Sequence, residues 1–161
     1  MSSVFAQLRD SLPRGQLVPW PDTAHDAVPT GSIFDVLQIR PTHVGPGAAR
    51  AEMRVGNQHL NQRGYCQGGA MVTLADATAG WATYCLVPDD LRFTTLELHC
   101  NLTGSARQGD LLIAVATPVH AGRSTVVLSV EIARHEEEHT SGEQRRLCAF
   151  FTCTQSILRA R

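Results

Sequence analysis

Most of the residues able to do chemistry lie in one short run, His59-Leu-Asn-Gln-Arg-Gly-Tyr-Cys-Gln-Gly-Gly69, and in one acid downstream of it, Asp76. Gly64, Gly68 and Gly69 stand directly before an apolar stretch of helical length. The end of the run therefore presents free backbone N–H groups and the positive end of a helix dipole, a place that can hold an oxyanion. Asn61 adds a side-chain amide donor, and Asp76 follows two helical turns inside the stretch. Donors that polarise a carbonyl, beside a carboxylate that activates water or attacks directly, suit acyl transfer. The same residues have a structural reading: glycines that let a helix enter a tight space, and an acid bonded to a core hydroxyl. The pattern alone leaves both open.

A second candidate, His135-Glu-Glu-Glu-His139, matches the His-Glu-x-x-His spacing of zinc peptidases. That motif works on a helix, where residues four apart share a face about 6 Å from each other. Here it follows an alternating segment and precedes Thr140-Ser-Gly142, a turn. Extended geometry separates the two histidines by about 13 Å. The segment is read as an exposed hairpin tip, and no metal site is expected. His25, His43 and His99 have no partner visible in the sequence and are read as surface or sheet residues.

The elements that must position these groups are legible in outline. Ala70 to Leu86 is apolar almost all round, and Asp76 is the only formal charge between Arg63 and Asp89, which describes a buried helix stopped by Pro88. A membrane span is the rival reading, but a central Asp costs about 2.5–3.5 kcal/mol on insertion scales. Phe93 to Thr103 alternates Thr94, Leu96, Leu98, Cys100 and Leu102 against Thr95, Glu97, His99, Asn101 and Thr103. Leu111 to Val119, Thr125 to Arg134 and Leu147 to Leu158 repeat the period of two, with short turns that imply antiparallel pairing. Upstream, Ile33 to Arg40 and Ala48 to Val55 read as two strands joined across the Pro/Gly-rich Pro41 to Gly47. Val4 to Leu12 has helical apolar spacing and ends at Pro13, and Leu17 to Ser32 reads as an irregular surface arm. The sum is an α+β domain over residues 33–158, a six-stranded antiparallel sheet around one long helix, preceded by a helix and arm over residues 1–32.

With 161 residues, net charge −1 and no basic surplus, the chain fits one domain and gives no ground for a nucleic-acid partner. Its five cysteines form no Cys-x-x-Cys pair and mostly fall in apolar patterns, as reduced thiols of a cytoplasmic protein do. The amino terminus lacks the apolar run of a secretion signal.

In order and spacing, His59-Leu-Asn61, Gly64, Gln67-Gly68-Gly69, Leu74-Ala-Asp76, Thr94-Thr95-Leu-Glu97 and His120-Ala-Gly-Arg123 resemble the hotdog-fold acyl-CoA thioesterases. The resemblance is to the phenylacetate-degradation type within the 4-hydroxybenzoyl-CoA thioesterase superfamily, and covers about Ile33 to Ser156. It implies a hotdog fold and hydrolysis of an acyl- or aryl-CoA to free acid and coenzyme A, with no cofactor beyond the substrate's own coenzyme A. It implies that Asn61 and the Gly68 N–H hold the thioester carbonyl, while Asp76 from a neighbouring subunit serves as general base or nucleophile. Thr95, or Thr94 if the register slips by one, would orient the water. His59, Gln67 and Gly69 would belong to the substrate-binding loop, and His120, Gly122, Arg123 and Ser124 to a turn that approaches pantetheine and phosphates. Arg123 there would make a charge-assisted contact, against the plain alternative of a solvated turn residue. Gln67 stands where the family usually has His, and an amide cannot carry a proton at neutral pH.

Two other functions compete. A hydratase or dehydratase on the same fold needs an Asp and a His a few residues apart at the helix start, and no His lies between His59 and His99. A non-catalytic binder of acyl-CoA or of an aromatic ligand would retain Asp76 and the glycines for packing. Sheet edges and a shared site both predict a homodimer or a dimer of dimers.

Overall fold

The computed structural model describes residues 3–24, 28–135 and 145–158. The apolar stretch after the glycines forms α3 (Gly68–Tyr84), which ends four residues before Pro88. Its buried hydroxyls are satisfied within the helix: Thr78 Oγ1 donates to the Leu74 carbonyl at 2.7 Å and Thr83 Oγ1 to the Ala79 carbonyl at 2.9 Å. Strands β2 (Arg40–Gly45), β3 (Ala48–Arg54), β4 (Arg92–Leu102), β5 (Leu111–Ala121), β6 (Thr125–His135) and β7 (Arg145–Leu158) curl around it. With the two-residue β1 (Val18–Pro19) they make one antiparallel sheet ordered β1-β2-β3-β5-β6-β7-β4. The inner face alternates as the period of two predicts, with Leu112, Ala114 and Ala116 of β5 and Val126, Leu128, Val130 and Ile132 of β6 all buried. Small residues on both surfaces, Ala49 and Ala51 on β3 and Ala75, Ala79 and Ala82 on α3, let the helix lie close to the sheet.

Two expectations are corrected. Ile33 to Arg40 is not a strand: Ser32 caps a one-turn helix, α2 (Ile33–Val36), with its hydroxyl 3.3 Å from the Asp35 N–H, and Gln38 at φ 51° ends the turn. The strand lies later, within the stretch expected to be a turn, and the turn shrinks to Pro46-Gly47, where Gly47 takes φ 77°. Pro41 is tolerated in β2 because the register shifts between Pro41 and His43, so no ladder bond is required of its missing N–H. The sheet therefore has a seventh strand, supplied by the arm: Val18 pairs with Val44, and Trp20 N–H donates to the Thr42 carbonyl at 2.8 Å. Before it, α1 (Val4–Ser11) is capped by the Ser3 hydroxyl and tied to the far end of α3 by Arg9, which donates to the Val87 carbonyl at 3.0 Å.

In the His-Glu-Glu-Glu-His segment, β6 is still extended at His135, whereas residues 136–139 lie outside the described residues, as does His25. Among the described residues no helix is long and apolar enough to cross a membrane.

Candidate active site

A 3-10 turn, Asn57–His59, leads into the glycine-containing loop. His59, expected in the substrate-binding loop, is 1% exposed. Its Nδ1 accepts from the Gly56 N–H at 2.8 Å and its Nε2 faces the Leu37 carbonyl at 2.8 Å, so the network assigns the neutral tautomer with the proton on Nε2. The ring supports the loop from beneath. Asn61 is half-buried, and its Oδ1 accepts from the Arg63 N–H at 2.9 Å and the Tyr65 N–H at 3.3 Å. Both acceptor positions thus face the loop's own backbone, leaving Nδ2 as a fixed donor with no acceptor among the described residues.

The loop then closes on α3. Gln67 N–H donates to the His59 carbonyl at 2.7 Å, and Cys66 N–H to the Ala106 carbonyl at 2.8 Å. The Gln67 side chain is exposed and does not cap the helix. Among the described residues the Gly68 and Gly69 N–H groups have no acceptor, as the first turn of a helix requires in the absence of a cap. Space above Gly69 is open, whereas a Cβ on Gly68 would come within 2.7 Å of Leu102 Cδ1, the end of a flexible side chain on β4.

Asp76 lies on the open stripe of α3 with Thr73, Gly80 and Tyr84; apart from the half-buried Val72, the rest of the helix's middle is buried. Its Oδ1 accepts from Thr95 Oγ1 at 2.8 Å. That contact depends on a β-bulge: Thr95 pairs with Gln155 and Glu97 with Thr154, so Leu96 is the extra residue. Before the bulge Phe93 and Thr95 face α3, and after it Leu98 and Leu102 do, which breaks the uninterrupted alternation expected from the sequence. With the bulge in place it is Thr95 that bonds Asp76, and Thr94 is exposed beside Ser156.

Gln155 was missed by sequence reasoning. It is fully buried, with Nε2 3.1 Å from Thr95 Oγ1 and 3.2 Å from Cys153 Sγ. By donating to Thr95 it fills a lone pair of the hydroxyl and leaves the threonine proton for Asp76, so Oδ2 remains the open oxygen. Its one available signal was an amide at an inward position of an alternating apolar strand. Beneath it the Cys153 thiol is pushed up to about 11, first by burial and then by the negative charge of Asp76.

The β5–β6 turn closes through the Gly122 N–H, 2.9 Å from the Thr125 carbonyl. His120 Nε2 lies 2.7 Å from where a Cβ on Gly122 would be, so the imidazole folds over Gly122 and would have to turn aside for any side chain there. His120, Arg123 and Ser124 are exposed. The turn reaches the Asp76 half of the sheet, because Ser124 accepts from the Ile157 N–H at 2.9 Å and Thr125 pairs with Ser156, which also pairs with Thr94.

Within one chain the two halves are apart. Gly68 and Asp76 are eight residues along one helix, about 12 Å at 1.5 Å per residue, too far to act on one carbonyl. Among the described residues the outer edge of β4 carries no partner strand, and Leu96 and Leu102 on it are 66% and 50% exposed.

An antiparallel sheet curled around one long helix, with a glycine-rich helix entry and an acid on the helix's open face, defines the hotdog class. A sequence profile of the thioesterase superfamily matches residues 63–140. The 1,4-dihydroxy-2-naphthoyl-CoA hydrolase of Escherichia coli (strain K12) is 30% identical over 135 residues, 84% of this chain and 93% of that protein. Among solved structures, the E. coli PaaI protein from the phenylacetic acid degradation operon superposes with TM-score 0.67 at 25% identity, over 78% of this chain and 83% of that one. A hypothetical thioesterase with coenzyme A from Streptococcus pneumoniae TIGR4 superposes with TM-score 0.66 at 26% identity, over 76% and 88%. The chain belongs to the thioesterase superfamily, and its class of activity is thioester hydrolysis.

Proposed function

We propose that the protein hydrolyses an acyl- or aryl-CoA in a site built from two subunits. One supplies Asn61 Nδ2 and the Gly68 N–H to the thioester carbonyl, with Gly69 and Gln67 beside them, and the other supplies Asp76. The observation that carries this reading is the state of Asp76: one oxygen is held by Thr95 at 2.8 Å and the other is open, on the exposed stripe of an otherwise apolar helix. Acting on water, Asp76 takes a proton as the oxygen adds to the carbonyl carbon. The oxyanion is met by the two donors, the C–S bond breaks, and the proton passes to the leaving thiolate of coenzyme A. Acting as nucleophile, Asp76 would displace the thiolate first and water would cleave the mixed anhydride. A single turnover in 18O-water that labels Asp76 identifies the nucleophilic route, with water adding to the Asp76 carbon of the anhydride, whereas direct attack by water on the thioester leaves Asp76 unlabelled. His120, Arg123 and Ser124 are suited to pantetheine and phosphate oxygens. No cofactor beyond the substrate's coenzyme A takes part.

A homodimer joined along β4 brings the halves together and covers the exposed edge. Five free thiols, four of them buried, favour a cytoplasmic location. The test is free-thiol release from aromatic, short-chain and long-chain acyl-CoAs by the wild type, by Asp76→Asn and by Asn61→Asp. Each variant should be nearly inactive alone. Mixed after reversible dissociation they should recover about one quarter of wild-type activity, because half the dimers then hold one intact site. Full activity in Asp76→Asn would refute the chemistry, and no recovery on mixing would refute the shared site.

A further inference from the structure

The open stripe of α3 continues past Asp76 to Gly80 and Tyr84, one and two turns on. Glycine inside a helix costs backbone entropy and needs a reason. Packing gives none among the described residues, since a Cβ at Gly80 would meet nothing within 4 Å. What the missing side chain does is keep the floor of the stripe clear just beyond the carboxylate.

Tyr84, at the end of the stripe, also lines a cavity of about 610 Å³ with Phe5, Phe34 and Trp81 among other residues, none of them charged. The rings come from different segments and brace one another: Phe5 to Tyr84 at 6.2 Å, Phe34 to Trp81 at 5.7 Å, and Trp20 to Trp81 at 5.9 Å behind them. All but the α3 rings come from α1, α2 and the arm, so the segment ahead of β2 has a wall to build as well as a surface to cover.

We infer that this cavity is the acyl subsite, on the subunit that supplies Asp76, and that it takes an arylalkanoyl group. The inference rests on the proposed hydrolytic site for the position of the carbonyl. A thioester carbonyl at Asp76 places the first acyl carbons over Gly80. Tyr84 is about 12 Å along the helix from Asp76, so a ring a few methylenes away reaches the cavity and a two-carbon acyl group does not. Stacked and edge-on aromatic walls favour another ring, and the uncharged lining rejects a carboxylated chain.

The chain's two tryptophans both lie in this cluster, so their emission reports occupancy without turnover. The probe is the thioether S-(4-phenylbutyl)-CoA, with S-ethyl-CoA as comparison. The phenylbutyl compound should change emission saturably in the wild type and in Asp76→Asn, and bind at least tenfold more weakly to Gly80→Leu. In parallel, the kcat/KM ratio for 4-phenylbutanoyl-CoA over acetyl-CoA should fall at least tenfold in Gly80→Leu and also in Tyr84→Ala, whose ring is already largely exposed. Unresponsive emission alongside hydrolysis of the aryl substrate, or an unchanged ratio in both variants, would overturn the assignment. So would a Gly80→Leu protein that lost its partner subunit, since the stripe would then be a subunit contact. Saturable emission with no thioester hydrolysed would sustain the subsite and refute the hydrolytic reading instead.

Discussion

Asn61→Asp separates what Asn61 does for the loop from what it does for a substrate. Oδ1 accepts from the Arg63 N–H at 2.9 Å and the Tyr65 N–H at 3.3 Å, and a carboxylate can keep both contacts in the same shape. The Nδ2 donor is lost and a negatively charged oxygen takes its place, which adds repulsion toward an oxyanion to the loss of the donor. Folded stability should therefore stay within about 1 kcal/mol of wild type, the scale of a typical net hydrogen bond. Loss of one preorganised donor to an oxyanion typically raises the barrier by about 2.7–4 kcal/mol, so kcat should fall about 100- to 1,000-fold. Asn61→Ala removes the loop contacts as well and should in addition be less stable by about 1–3 kcal/mol, at about 0.5–1.5 kcal/mol per hydrogen bond. The assay is thiol release under saturating acyl-CoA, with urea unfolding of each variant as the stability arm. An Asn61→Asp enzyme within about threefold of wild type, under 1 kcal/mol in the barrier, would remove Asn61 from the oxyanion site.

Gln155→Leu should lower kcat about two- to tenfold with little change in KM, because it frees the Thr95 hydroxyl by one neutral hydrogen bond of about 0.5–1.5 kcal/mol. Altered stability with unaltered kcat would make Gln155 structural only. His59→Leu strands the Gly56 N–H and the Leu37 carbonyl in a buried place and should cost about 2–6 kcal/mol in thermal or urea unfolding, at about 1–3 kcal/mol per unsatisfied group. An unchanged Tm would contradict the support role. Burial raises the Cys85 thiol to about 12 and the Cys66 and Cys153 thiols to about 11, from 9.0. The folded state thus holds these protons more tightly than the unfolded chain: their contribution is complete below pH 9 and is lost as pH rises through 11 to 12. Stability should fall by about 1.4 kcal/mol per pH unit for each thiol in that window, and Cys85→Ala should flatten the slope. Equal slopes in wild type and variant would refute it.

The long helix and the four strands after it were legible because their signals are redundant: a run with one charge, then four segments of period two between Gly-rich turns. Ile33 to Arg40 misled because a single helical turn cannot show its period in four residues, and what decides it is the Ser32 cap and the turn at Gln38. Pro41 misled in the opposite direction. Proline near glycine reads as a turn, yet a bulge lets β2 absorb the missing N–H, and the pairing of arm with sheet that makes β1 is a long-range contact without local pattern.

The site was legible where it depends on chain order and opaque where it depends on register. Gly-Gly at a helix start followed by a lone acid could be read directly, and so could an Asn that sits in a turn. Which threonine meets Asp76 could not, because one extra residue at Leu96 decides it, and an alternating strand with and without a bulge has the same composition. The same bulge explains why Gln155 was overlooked. As a cross-strand partner its role exists only once Thr95 turns inward, and an amide fully buried in an apolar strand costs stability unless something beside it must be held. Thr95, with its hydroxyl already aimed at a carboxylate, is that something. A buried polar residue at an inward strand position is therefore the most useful pointer to the site's supporting layer, and Gly80 is its counterpart on the helix. Each departs from what packing alone would select, and the two departures lie on either side of Asp76.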